Sequence, residues 1–135
     1  MADIKISDVL HIDTPEFDPP YHDAVCISDI NDFCFLLSKN RHQFLEKYNY
    51  ISPLRKSDYE WLDCDRFVDC CLLLKFADRN PRKRTERAIS EHDMQAVYAG
   101  LLELRKMSDY DYYEFEISSR RIDSILQELG SWLQK

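Results

Sequence analysis

Apolar residues recur at three- and four-residue spacing in four stretches of this chain, and that spacing restricts its fold more than any motif does. The first stripe is Ile30, Phe33, Cys34, Leu37, Phe44, Leu45 and Tyr48. Ser28 stands before it as an N-cap, with Asp29 and Asp32 favourable in a first turn. The second is Trp61, Cys64, Phe67, Val68, Cys71, Leu72 and Leu74. Ser57 and Glu60 precede it as an S-x-x-E capping box, which predicts a helix over about 58–77. Ser90 opens a third stripe through Met94, Val97, Tyr98, Leu101, Leu102 and Met107. Ser118 or Ser119 opens the last, through Ile122, Ile125, Leu126, Leu129, Trp132 and Leu133.

Between the stripes the signals are extended. "IKISDVLHID" is short, β-branched and roughly alternating, and predicts one or two strands; "AVCI" at 24–27 predicts another. "TPEFDPPYHD" and "DRNPRKRTER" are loops, broken by proline. The expectation is an α+β fold, with about four amphipathic helices packed with a small sheet of short strands, in a single domain spanning 1–135.

Several function classes are disfavoured at once. Two glycines are too few to build a glycine-rich phosphate loop, and they leave the turns to Asn, Asp, Ser and Pro. No run of 18 apolar residues exists to cross a membrane. The opening "MADIKISDVL" has neither the basic nor the long apolar segment of a signal peptide. The five cysteines, Cys26, Cys34, Cys64, Cys70 and Cys71, are therefore expected to be reduced, mostly in the core of a cytoplasmic protein. His11 beside Asp13 and His22 beside Asp23 are the nearest approach to a metal site. Neither has zinc or iron spacing, so no metal and no cofactor is expected.

Charge is uneven. The net charge is −7, and residues 1–38 hold eight acids against the single base Lys5; the other 97 residues cancel, 17 against 17. An acidic front end argues against direct nucleic-acid binding and suits a basic protein partner, approached by electrostatic steering. In "SDYDYYEFE", 108–116, a strand would put Tyr113, Phe115 and Ile117 inward and Tyr110, Tyr112, Glu114 and Glu116 outward. An ordinary half-exposed strand alternates in the same way. Yet tyrosines among carboxylates also have the chemistry of a protein-binding hot spot: rigid contact area, hydroxyls and acceptors for a partner's arginines. Asp109 and Asp111 add to it.

"RNPRKRTER" at 79–87 brings five bases together, and reads as a solvated loop answered by the chain's own acids. "RAISEH", 87–92, matches R-x4-H and resembles the short motif of HEPN-type ribonucleases, in which paired helical domains cut RNA. The resemblance covers six residues, with Ala88 where a polar residue is usual. It implies that Arg87 would stabilise phosphate charge and His92 would act as acid and base. "CISDINDF" resembles the helix start of barstar-like proteins over those few residues, and the acidic, tyrosine-set strand is similar in style to colicin immunity proteins.

The leading expectation is an acidic inhibitor such as an immunity protein. It would occlude the cationic cleft of a basic bacterial toxin, a nuclease by the chemistry of such a cleft, with Asp109, Tyr110, Asp111, Tyr112, Glu114 and Glu116. A phage-encoded inhibitor of a host defence enzyme fits the same physics. The enzymatic alternative is a HEPN-like ribonuclease using Arg87 and His92.

Overall fold

The computed structural model describes residues 4–15, 20–28, 32–37, 51–75, 87–106, 114–115 and 119–134. Within them a five-stranded antiparallel sheet takes the place of two expected helices. Its strands are β1 (Val9–Asp13), β2 (Tyr21–Cys26), β3 (Asp32–Leu37), β4 (Ile51–Leu54) and β5 (Arg66–Lys75), in the order β1-β2-β3-β5-β4. A two-residue strand, β6 (Glu114–Phe115), pairs with β5 in parallel. Two α-helices follow, α1 (Glu91–Lys106) and α2 (Ser119–Leu133).

The fold is α+β, but the expectation of about four helices fails at the first two stripes. Ile30 and residues 38–50 lie outside the described residues; the part that is described, Asp32–Leu37, is a strand. The second stripe is β5, preceded by a single 3-10 turn at Lys56–Asp58. The physical reason lies in burial on both sides. Along β3, Cys34 and Leu36 belong to one apolar cluster while Phe33 and Phe35 belong to another, and all four are at most 2% exposed. A strand buried on both faces is an unbroken apolar run, which also contains every helical spacing.

The two faces are distinct cores. Val9, Val25, Cys34, Leu36, Val68, Cys70 and Leu54 meet Met94, Val97, Leu101 and Leu104 of α1 and Ile122, Ile125 and Leu129 of α2. Leu10, Ile12, Ala24, Cys26, Phe33 and Phe35 form the second cluster, with Ile4 packed on it. Helix α1 packs on α2 and against β4 and β5. The expected stripe of α2 is the observed one. On α1, Met94, Val97 and Leu101 are buried and Tyr98 is half-buried as expected, but Leu102 is 37% exposed and Leu104, outside the expected stripe, is buried; Met107 lies outside the described residues. Cys26, Cys34 and Cys70 are buried thiols, and Cys64 is exposed.

Proline and capping residues act as the sequence suggests, though not always in the expected element. Pro53 sits in β4, the terminal strand of the sheet path, where a missing N–H is tolerated. Ser90 caps α1: its Oγ accepts the Asp93 N–H at 3.2 Å, and its carbonyl accepts the Met94 N–H at 2.9 Å. Ser28 behaves as a cap without a helix. Its Oγ accepts the Asp32 N–H at 2.9 Å and donates to Asp32 Oδ2 at 2.8 Å, across the β2–β3 connection.

Arg121 of α2 closes on that pair. Its Nε donates to Asp32 Oδ2 at 2.8 Å, its Nη2 donates to the same oxygen, and Nη2 also reaches Ser28 Oγ at 3.2 Å. The Asp32 side chain is 4% exposed and that of Arg121 is 19%. Removing either partner leaves the other charge uncompensated, and the deeper charge suffers more. Arg121→Met is therefore expected to destabilise by about 3–5 kcal/mol. Asp32→Asn, which keeps an acceptor and leaves an arginine that reaches water, is expected to cost less. Urea unfolding followed by circular dichroism measures both; equal losses would contradict this account.

Candidate functional site

The expected partner-binding strand falls mostly outside the described residues: Asp109, Tyr110, Asp111, Tyr112 and Glu116 lie there. Glu114 is in β6, where its backbone pairs with Leu72 of β5. The R-x4-H pair is divided. Arg87 precedes α1 and turns to Asp23 and Trp61, while His92 is exposed at the second residue of the helix. The antiparallel sheet beneath them also departs from the helical domains that the ribonuclease resemblance implies.

A different constellation is assembled by the sheet. Strands β1 and β2 pair in a register that sets His11 opposite Asp23 and Ile12 opposite His22. His11 Nδ1 lies 3.3 Å from Asp23 Oδ1, whereas His22 Nδ1 lies 2.7 Å from Thr14 Oγ1 and its ring stacks on Phe35 at 4.8 Å. Side chains alternate along a strand, so His11 shares the face of Val9, and Asp23 that of Val25. This is the helix-covered face, and the polar pair occupies one end of it.

Two arginines reach the same carboxylate. Arg87 places Nη1 3.4 Å from Asp23 Oδ2 and Nη2 3.4 Å from Oδ1. Arg66, the first residue of β5, places Nη1 3.5 Å from Asp23 Oδ2 and Nη2 3.5 Å from Oδ1 of the exposed Asp63. The Asp63 carboxyl is held below the usual carboxylate range by its hydrogen bond with Cys64 and by Arg66. Aromatic rings flank the group. Tyr21, 51% exposed, lies 5.1 Å from the His11 ring, and the Arg87 guanidinium sits 5.7 Å over Trp61.

Trp61 is held in turn by Tyr59, ring centres 5.2 Å apart. The Tyr59 hydroxyl donates to Asp93, accepts the Ser90 N–H at 3.0 Å and lies 3.1 Å from Ser90 Oγ. One phenol thus ties the β4–β5 connection to the N-terminus of α1, beside Arg87. Among the described residues no group of three or more His, Cys, Asp or Glu forms a metal site. Sequence reading missed this constellation because its members, His11, Asp23, Trp61, Arg66 and Arg87, come from four separate segments. The one available signal was hairpin register. No family profile, curated protein or solved structure matches the chain.

Burial, then the hydrogen bond with Asp93, raises the pKa of the Tyr59 phenol above its ordinary value of 10.0. The neutral phenol is the form the fold prefers. Its contribution is complete below pH 10 and is lost as pH climbs from there through the raised native value. Thermal unfolding between pH 9 and pH 11 is expected to show a steeper fall for the native chain than for Tyr59→Phe, and parallel curves would remove the assignment.

Proposed function

We propose that this chain is a protein-binding inhibitor of the cytoplasm, one that neutralises a basic bacterial toxin such as a nuclease by occluding its cationic cleft. The observation that carries the reading is the β4–β5 connection, 55–65. It presents half-buried Tyr59 and Trp61 among exposed Asp58, Glu60, Asp63 and Asp65, behind two exposed bases, Arg55 and Lys56. Rigid aromatic surface ringed by acceptors is what binding hot spots are made of, and the hydroxyl network described above holds these rings in place. The segment holding Asp109, Tyr110, Asp111, Tyr112, Glu114 and Glu116 repeats the same chemistry in sequence. Among the described residues, no helix is long and apolar enough to cross a membrane.

The acidic front end supports steering less than its composition suggests. Of its eight acids, Asp32 is consumed by Arg121 and Asp23 by Arg66 and Arg87. The field that a partner meets comes from the rest.

Co-expression with a basic nuclease toxin from the same host tests the proposal. The native chain is expected to restore growth and to form an isolable complex. Tyr112→Ala and Trp61→Ala are each expected to weaken that complex by about 2 kcal/mol or more. Growth arrest undiminished by the native chain would refute the reading. Association should also slow as salt rises from 50 to 500 mM, since surface charges are screened over about 10 Å at 0.1 M. A rate indifferent to salt removes the steering component.

A further inference from the structure

At the end of the helix-covered face, hydrogen-bond donors outnumber the acceptors that serve them. Arg66 and Arg87 carry five N–H groups each. The acceptors they reach are the two oxygens of Asp23 and one of Asp63. Arg66 Nε and Arg87 Nε are buried without a hydrogen-bond partner. A buried donor left unmade is costly, and native structures keep few of them.

The distances carry the same message. Contacts around Asp23 run from 3.3 to 3.5 Å, although Arg–carboxylate bonds settle near 2.7–2.9 Å. Arg121 reaches Asp32 at 2.8 Å in this same chain. One carboxylate shared among two guanidiniums and an imidazole cannot close on any of them. The guanidiniums nonetheless hold station, Arg87 over Trp61 and Arg66 at the rigid start of β5.

We propose that Arg66 and Arg87, with His11 beside them, form a recognition site for a tetrahedral oxyanion, of the phosphate monoester class. Two guanidiniums converging from different elements suit three oxygens on one centre better than the two coplanar oxygens of a second carboxylate. The site opens to water along the arginines, whose side chains are 22% and 12% exposed. Asp63 is the acceptor that gives way: its side chain is 81% exposed and its single contact with Arg66 is 3.5 Å long. The half-exposed ring of Tyr21 stands at the rim, where the organic part of a monoester finds apolar contact. Asp23 sets the position of both arginines and at the same time repels the ligand. The site adjoins the protein-binding surface proposed above, sharing Trp61 and Asp63 with it, but its anion binding does not require a protein partner.

Thermal unfolding and isothermal titration of the full chain with inorganic phosphate, chloride and acetate at matched ionic strength and pH test the proposal. Phosphate is expected to raise the melting temperature and to bind with measurable heat, chloride and acetate to do neither. Arg87→Gln is expected to weaken phosphate binding at least about tenfold, and Arg66→Lys, which keeps the charge and loses the fork, by a similar factor. Asp23→Asn is expected to lower the melting temperature in chloride while tightening phosphate binding several-fold, a combination that a purely structural carboxylate does not produce. A rise no larger in phosphate than in chloride overturns the site, as does a rise that persists in the Arg66, Arg87 double variant. An equal response to acetate overturns the phosphate class.

Discussion

Strand β3 has no face turned to water, and much of the structure follows from that. Its side chains alternate between two apolar clusters, so the sheet must be covered on both sides before it is stable. On one side α1 and α2 supply the cover with Met94, Val97, Leu101, Leu104, Ile122, Ile125 and Leu129. Burial at this depth excludes ionised groups unless each arrives with its counter-charge. Asp32, at the first position of β3, meets that condition through Arg121 and Ser28. The same contact fixes the start of α2 over the β2–β3 connection, so one ion pair sets the position of a helix against the sheet.

The helix layer covers the face incompletely, and the polar constellation lies where it stops. His11 and Asp23 are two residues from Val9 and Val25 along their strands, on the same face, and those valines are completely buried. Over the histidine and the aspartate the cover is no longer helical side chains but Arg87, just ahead of α1, and Arg66. The cap of α1 and the constellation are therefore mechanically one object. Ser90 starts the helix, Tyr59 binds Ser90 and Asp93, Trp61 stacks on Tyr59, and Arg87 lies over Trp61.

How much of this was legible in the sequence depends on whether an element has a wet side. Helix α2 has one, so its stripe of Ile122, Ile125 and Leu129 was readable to the residue. Helix α1 was readable through Ser90 and Asp93, with an error at Leu102 and Leu104, where the exposed and buried positions are reversed. Strand β3 has no alternation to read, and "DFCFLL" fits a helical stripe because an apolar run fits every stripe; in β5 the successive residues Val68, Asp69 and Cys70 are likewise all buried. Ser28 misled for a related reason. Its hydroxyl accepts the N–H four residues on, one position beyond the reach of a helix cap, at the first residue of β3. Spacing could not reveal the constellation at all, since residues 11, 23, 66 and 87 meet only once strand register is known.

The two buried carboxylates of the acidic front end make the contrast that matters for function. Asp32 is held through short bonds by Arg121 and the Ser28 hydroxyl, which converge on the same carboxylate oxygen. Asp23 has more partners, all of them longer. If stability alone had shaped that site, one arginine at Asp23 would serve as well as it does at Asp32, because a second guanidinium adds desolvation cost and gains only the long, exposed contact with Asp63 as a further acceptor. The excess of donors is thus a property that folding does not require. It places positive charge, aromatic surface and a partly open edge together in a protein whose overall charge is −7, at an end of the sheet face where Arg66 and Arg87 lie over Asp23.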